Sequence, residues 1–577
     1  MKTGLLLLLT GFLIGSAASA TEVTHQQLKG KNGKGHYQTI RITYPMGESG
    51  RSDVPRTVME ISGNMARITT VSNRRDADAP LQTTYLDYNA GKEIKTALLR
   101  GDESIYTVRS FSLNQGLELL DETEVIAGYT CRKAKTVINT NTMEIWYTTE
   151  LGMRGSVLPG VAIPDGIVLK VLRNGNPMAV ANEVELINQK TSLEPALEGT
   201  ELKASAFNYR IQQSRVIAVN VFDHESIYFR DIPKVTQLEA DKVTRFAQGS
   251  ILMRKVKLPE ENAGYAIFAE LSHYSEGDAY DRTGSVFIIP TGREHSFFDG
   301  LLNGKERLPQ YYDKEGKAYQ GMVVTDDYFP PLELMRFYTS FGVRGYNHIE
   351  VADYNWPDSV LFKQEITDYA SLLKGEVWVG AWIGNYVHDG HNVTLDIKYY
   401  PQSETRAKEI YPLFATVNIM EMSGQAYPEN LFRNDSLTVN FKTDKDLKDG
   451  YIRYISTGHG GWGGGDEFNP KLNEIFLNGE RIIAYTPWRE DCGSYRERNP
   501  ASGNFGNGLS SSDLSRSGWC PGTVSYPVYI HVGDLKAGAH QLKVAIPVGD
   551  PAANSSSYWC ISGVLVGNAD DNPPASL

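Results

Sequence analysis

The sequence predicts an all-β, mostly antiparallel protein, and three observations carry that reading. Short segments of alternating apolar and polar residues, bounded by turn formers, recur from one end to the other. Long runs with a 3.6-residue apolar period are nearly absent, and only residues 366–373 read as a helical turn. Residues 475–483 spell an Ile-Phe-Leu-Asn-Gly-Glu-Arg-Ile-Ile hairpin, whose Asn-Gly pair readily takes the positive φ angles of a type I′ turn.

In chain order, Met1-Lys2, an apolar run over 5–14 and Gly15-Ser16-Ala17-Ala18-Ser19-Ala20 form the charged, apolar and small-residue succession of a secretory leader. The run falls short of the ~20 residues that cross a bilayer, and no later segment reaches that length. The expectation is an exported protein, periplasmic, secreted or at the cell surface, without a membrane span. At about 100 to 200 residues per domain, 577 residues imply three or four domains. A net charge of -12 with scattered basic residues offers no polycationic face for nucleic acid.

Residues 67–71, 83–88 and 94–99 alternate as strands, and the polar stretch 189–204 reads as a linker. Residues 263–271 form a buried-strand pattern leading to Asp281-Arg282, and 285–288 the strand that leaves it. Residues 290–344 mix Gly, Pro, Lys and Tyr too irregularly for a strand ladder and read as a long insertion. A second linker is expected within 400–416, and His540, Leu542, Val544 and Ile546 fall on one face of a late strand. Of the four cysteines, Cys492 and Cys520 bracket a Gly/Ser/Asn/Arg-rich loop that a disulfide would pin, at a gain of roughly 3 to 4 kcal/mol. Cys131 and Cys560 sit in apolar strand-like contexts that suit buried thiols, although a bridge between them is also open.

Three separated pieces carry the chemistry: Gly277-Asp278-Ala279-Tyr280-Asp281-Arg282, Gly464-Gly465-Asp466-Glu467-Phe468, and Arg516-Ser517-Gly518-Trp519-Cys520 with Pro521-Gly522 following. Read singly they are ordinary. An Asp in a Tyr-Asp-Arg-Thr-Gly context commonly caps its own turn; Asp466 and Glu467 read as exposed strand-end acids. Together, in this order, they resemble the peptide:N-glycosidase F family over about residues 235–570, with Asp368-Tyr369-Ala370-Ser371-Leu372-Leu373-Lys374-Gly375 and 451–465 matching further elements.

The resemblance implies two adjacent eight-stranded jelly rolls, at 205–402 and 405–577, with a groove between them. It implies hydrolysis of the N-acetylglucosaminyl-Asn amide, releasing intact N-glycans from glycoproteins or glycopeptides and leaving Asp, the reaction of a peptide-N4-(N-acetyl-beta-glucosaminyl)asparagine amidase. Asp281 would be the principal carboxylate and Glu467 would order a water, while Arg282, Arg516, Trp519, Trp382 and His459 would meet substrate. That chemistry needs no metal and no organic cofactor. The family's third acidic residue has no counterpart: the strand 376–384 places Trp382 or Gly384 there, and a Trp in an apolar strand is also a core residue. Two small disulfides that tie active-site turns in the family are missing as well. A non-catalytic glycan-binding protein on the same scaffold is the alternative, and the chain is expected to be a monomer.

Residues 21–195 resemble the GLPGLI family through Gly128-Tyr129-Thr130-Cys131-Arg132-Lys133-Ala134, Ile145-Trp146-Tyr147-Thr148 and Leu158-Pro159-Gly160-Val161, which implies an antiparallel, bowl-like accessory domain. That domain or the 290–344 insertion would steady the site or screen substrates. His388, Asp389 and His391 read as polar turn residues in preference to metal ligands. The Gly-rich run 460–465 lacks the Lys-Ser or Lys-Thr of a phosphate loop and reads as close backbone approach at the groove.

Overall fold

A computed structural model describes residues 37–45, 56–71, 80–111, 116–158, 163, 165–402, 407–417, 431–433, 436–460, 464–499, 503, 506–549 and 557–569. The leader at 1–20, Pro159-Gly160-Val161 and Gly461-Trp462-Gly463 lie outside the described residues. The chain divides into two compact units, Met1–Tyr209 and Arg210–Leu577.

The first unit is built from two sheets. Strands Thr39–Pro45, Arg56–Ser62, Met65–Val71, Leu81–Asp87, Lys92–Leu98 and Ser104–Ser110 run as an antiparallel meander, flanked by Glu183–Ile187 and by Thr200–Glu201, which joins in parallel. Glu118–Ile126, Tyr129–Ile138, Asn141–Thr148, Ile167–Arg173 and Asn176–Val180 form the second sheet. Alternation does what period-two patterning requires: Ile40, Ile42, Met59, Ile61 and Leu169 enter a common core, while Arg41 and Arg67 stay outside on Glu60. Cys131 and Cys560 are both buried, and neither is in a disulfide among the described residues. The expected linker 189–204 ends instead in the short strand Thr200–Glu201, and the helix Ala204–Ser214 follows at once. Only Phe207 and Ile211 mark its buried face, one turn apart, in an otherwise polar segment too short for the apolar period to register.

In the second unit, one sandwich pairs a four-stranded sheet with a six-stranded one. The four are Ile217–Ile227, His391–Pro401, Tyr265–Ser275 and Val360–Glu365; the six are Thr244–Phe246, Ile251–Leu258, Gly375–Ile383, Thr283–Ile288, Leu332–Tyr338 and Val524–Ser525. The other sandwich packs Glu409–Ala415, Tyr558–Ala569, Leu447–His459 and Val528–Leu535 against Leu437–Thr443, Gly538–Ala545, Asn473–Leu477 and Glu480–Tyr485. The hairpin at Asn478-Gly479 is present, with φ of 52° and 88°.

The sandwiches are fused, because Val564 and Val566 of the strand Tyr558–Ala569 enter the first core while Ile561 and Leu565 enter the second. Val524–Ser525, from the C-terminal half of the chain, pairs with Leu332–Tyr338 and so forms the edge of the first sandwich.

That last pairing corrects the reading of 290–344 as irregular throughout. The segment begins with a helix, Phe297–Asn303, capped by Ser296 and Asp299, but ends in Leu332–Tyr338, a strand buried at every residue. Glu333 and Arg336 disguised it. Arg336 places Nε and Nη2 3.1 and 2.7 Å from the Glu333 carboxylate and Nη1 2.6 Å from the Cys560 carbonyl. Ser285 and Ser562 donate to Glu333 at 2.8 and 2.6 Å, so the pair is saturated with partners from both sandwiches. Arg453 adds a second strut, from its own strand to the Tyr369 hydroxyl at 2.9 Å and the Leu334 carbonyl at 3.1 Å. Among the described residues no helix is long and apolar enough to cross a membrane.

Candidate active site

The turn between Tyr265–Ser275 and Thr283–Ile288 presents Asp281. Its backbone is held on both sides: Thr339 Oγ1 donates to the Tyr280 carbonyl at 3.2 Å, and the Arg282 amide donates to the same hydroxyl at 2.8 Å. The second piece follows the strand Leu447–His459, where the Ser517 amide donates to the Glu467 carbonyl at 3.0 Å. The third is pinned by the Cys492–Cys520 disulfide and by reciprocal backbone bonds between Arg489 and Arg516. Gly518 has a φ of 81°, and a Cβ there would stand 2.3 Å from the Ser456 carbonyl, so this crossing requires glycine.

Arg516 gathers these pieces. Its side chain is buried, and Nη1 donates to the Ser511 and Leu514 carbonyls at 2.6 and 3.2 Å. The guanidinium lies over the Phe468 and Trp519 rings. Nε donates to Glu467 Oε1 at 2.9 Å, and Nη2 stands 3.7 Å from Asp281 Oδ2. Two carboxyls from separate sandwiches therefore meet one fixed cation. Each remains reachable, with 16% of the Asp281 side chain and 17% of the Glu467 side chain exposed. Asp281 Oδ2 makes no hydrogen bond.

Burial raises the Asp281 pKa above the ordinary aspartate value, against the pull of Arg516. Burial also pushes Glu467 up to about 7, with Arg516 opposing and the neighbouring Asp281 charge adding to the rise. One carboxyl of the pair can thus hold a proton near neutrality while the other is ionised. The folded protein keeps the Glu467 proton to higher pH than the unfolded chain, so it binds more protons between pH 4.5 and about 7. Stability from this group is full below that window and falls as pH rises through it. Relative to Glu467→Gln, the wild type is expected to lose roughly 3 kcal/mol across the window. Urea unfolding of both proteins from acid to alkaline pH reads the difference, and a gap independent of pH would contradict the assignment.

The other sequence-derived residues fall elsewhere. Arg282 directs its fork at Asp278, with Nε–Oδ2 2.7 Å and Nη2–Oδ1 3.2 Å. Trp519 is covered on one face by Tyr338, ring centroids 4.1 Å apart, and its Nε1 donates to the Gly458 carbonyl. His459 lies between Trp519 and Tyr558, bonded to Tyr338 and Thr457, and burial drives its pKa down to about 3. Trp382 packs with Phe246, Ile251, Met253 and Phe287. These three rings, from which sugar contact was expected, are enclosed by protein among the described residues.

Asp466 is likewise no exposed strand-end acid: it is buried, and Trp559 Nε1 donates to its Oδ2 at 2.8 Å. His388 and Asp389 are exposed turn residues that contact each other, but His391 opens a strand and is fully buried. The residue that the sequence reading passed over is Asp278, which binds Arg282 and lies 3.4 Å from His391 Nε2. Its only signal was an acid four positions before Arg282, a spacing that means little outside a helix.

Among the described residues the one grouping with metal-ligand spacing is Asp491 with Cys492 and Cys520, whose sulfurs are bonded to each other. A cleft of about 680 Å³ lies between Tyr311 and Asp326 on one side and Asn440 and Gln541 on the other, and none of the chemistry-bearing residues lines it.

Residues 218–399 match the family model described as Peptide-N-glycosidase F, N terminal, and 426–566 the one described as Peptide-N-glycosidase F, C terminal. The region likened to GLPGLI proteins matches, over 46–210, the model described as N-glycanase peptide, N-terminal domain. The chain is similar to a solved structure described as PNGF-II in the P21 space group, at 41% identity over 92% of this chain and 100% of that one, with a TM-score of 0.76. A second form of PNGF-II, in the C2 space group, gives 40% identity over 94% and 100%, with a TM-score of 0.72. PNGase F from Flavobacterium meningosepticum, described as a glycosylasparaginase, is 14% identical over 63% of this chain and 97% of that one, with a TM-score of 0.42, too loose to argue from. Comparison with curated proteins gave no match.

Proposed function

The chain belongs to the peptide-N-glycosidase F family, and from that premise we propose that it hydrolyses the amide joining N-acetylglucosamine to Asn, releasing whole N-glycans from exported or extracellular glycoproteins and glycopeptides. The observation that carries the reading is Arg516 drawing Asp281 and Glu467 from two sandwiches to one place. Glu467 orders the attacking water. Asp281 accepts a proton as the water oxygen bonds to the amide carbon and returns it to the departing nitrogen as the carbon–nitrogen bond breaks. The products are an Asp side chain and a glycosylamine. Arg516 offsets negative charge gathering at the reacting centre without reorganising, because the Ser511 and Leu514 carbonyls already hold it. Every bond in this scheme is made by side chains and water.

Mass spectrometry of a defined glycopeptide after incubation tests the proposal. The expected products are the intact glycan and a peptide with Asn converted to Asp. A peptide still carrying one sugar would mean glycosidic cleavage. Binding of the glycopeptide with no product at all would favour the non-catalytic binder.

A further inference from the structure

We infer that Asp278 is a positioning residue that, through Arg282 and His391, holds the turn carrying Asp281 against Arg516; the inference deepens the proposed amidase reading and rests on it. Thr339 and Gly390 hold the turn by its backbone, and the Ser275 hydroxyl donates to the Asp278 carbonyl. The disulfide among the described residues closes a different loop. What closes the turn is the Asp278 carboxylate, fully buried. It accepts from Arg282 Nε at 2.7 Å, Arg282 Nη2 at 3.2 Å and the Tyr280 amide at 3.1 Å, and lies 3.4 Å from His391 Nε2. Asp281 sits inside the small ring that the 278–282 bonds make.

Below the ring the tie continues into the sheet. His391 Nδ1 is 3.0 Å from His273 Nε2, and both imidazoles are fully buried. These histidines are diagonal neighbours on adjacent strands, in a register that sets His273 opposite Val393 and His391 opposite Ser275. The Asp278 amide also donates to the Gly390 carbonyl, as does that of Glu276. A polar chain therefore runs from a sheet interior, through two imidazoles and a carboxylate, to the guanidinium that neighbours Asp281.

A buried ion pair contributes little net stability compared with apolar packing, yet it fixes geometry, which is what a reacting carboxyl needs. The Arg282 fork, filled by Asp278, then serves as a strut. This arrangement differs in its consequences from Arg282 gripping substrate. A strut, when lost, lowers turnover by misplacing Asp281; a substrate clamp, when lost, weakens binding.

Asp278→Asn separates the two. The expected result is a fall in kcat of about 10²-fold with KM nearly unchanged, the cost of roughly 1 Å of misplacement. Hydrogen–deuterium exchange of residues 276–283 should quicken while 464–468 and the strand Leu447–His459 keep wild-type rates, which also establishes that the variant is folded. His391→Gln, which leaves the Asp278–Arg282 pair in place, should give the same pattern in weaker form and serves if Asp278→Asn does not fold. Unchanged exchange in 276–283, or a raised KM with kcat intact, would overturn the inference. A wild type inert on glycopeptides would overturn the amidase reading alone, with the exchange result still deciding the role of Asp278.

Discussion

Asp281→Asn is expected to lower amide hydrolysis by roughly 10³-fold, the scale of losing a positioned general acid/base, while leaving the protein folded. The substitution is isosteric, and the side chain is mostly enclosed in an environment that already favours its neutral form. Oδ2 has no hydrogen-bond partner, so replacing the carboxyl breaks no internal bond there. The Arg516 guanidinium keeps Glu467, both backbone carbonyls and its two rings. What disappears is the oxygen able to take a proton from water and return it to nitrogen. Single-turnover release of glycan, measured alongside thermal unfolding, checks both halves of the expectation. Retention of a tenth or more of the activity would move the acid/base role to Glu467 or elsewhere.

The second large effect is on stability. Arg336→Met is expected to cost about 3 to 5 kcal/mol, because it leaves the buried Glu333 carboxylate without its cation. Two serine donors would remain, from Ser285 and Ser562, but hydroxyls do not replace a guanidinium in a dry interior. The substitution also removes the bonds that the Thr457 hydroxyl and the Cys560 carbonyl accept from Arg336 across the seam between the sandwiches. Pairing the substitution with Glu333→Gln should recover much of the loss, since the uncompensated charge is then gone. Urea unfolding of the two single variants and the double variant measures it. A single-variant cost below ~1 kcal/mol would show that the pair tolerates solvent and is not the sealed joint its contacts describe.

The same residues explain where sequence reasoning stopped. Period-two patterns located the strands at 67–71, 83–88, 94–99 and 475–483, because each has one face in a core and one in water. Leu332–Tyr338 is buried on both faces and carries an acid and a base, so neither alternation nor apolarity marked it; its pairing with Thr283–Ile288 and Val524–Ser525 makes it a strand, and the Glu333–Arg336 pair lets its charges be buried. The helix Ala204–Ser214 failed to register for the opposite reason, having two buried side chains and nine others that read as loop.

Short motifs surround Asp281, Glu467 and Arg516, which the structure brings together. The protein contacts of Trp519, His459, Trp382 and Arg282 were not legible, since an aromatic or an arginine in a motif looks the same whether its partner is a ligand or the next strand. Tyr338 on Trp519 and Asp278 on Arg282 are contacts between segments that no local pattern encodes.

The edge strand Val524–Ser525 has a consequence for biosynthesis. The sheet that carries the Asp281 turn cannot be completed until a dipeptide more than two hundred residues downstream has left the ribosome tunnel and threaded back. Nascent chains would wait, nearly full length, with one seam unsealed. Genetic truncation between the halves would therefore yield an unfinished amino-terminal sandwich, never a minimal catalytic fragment.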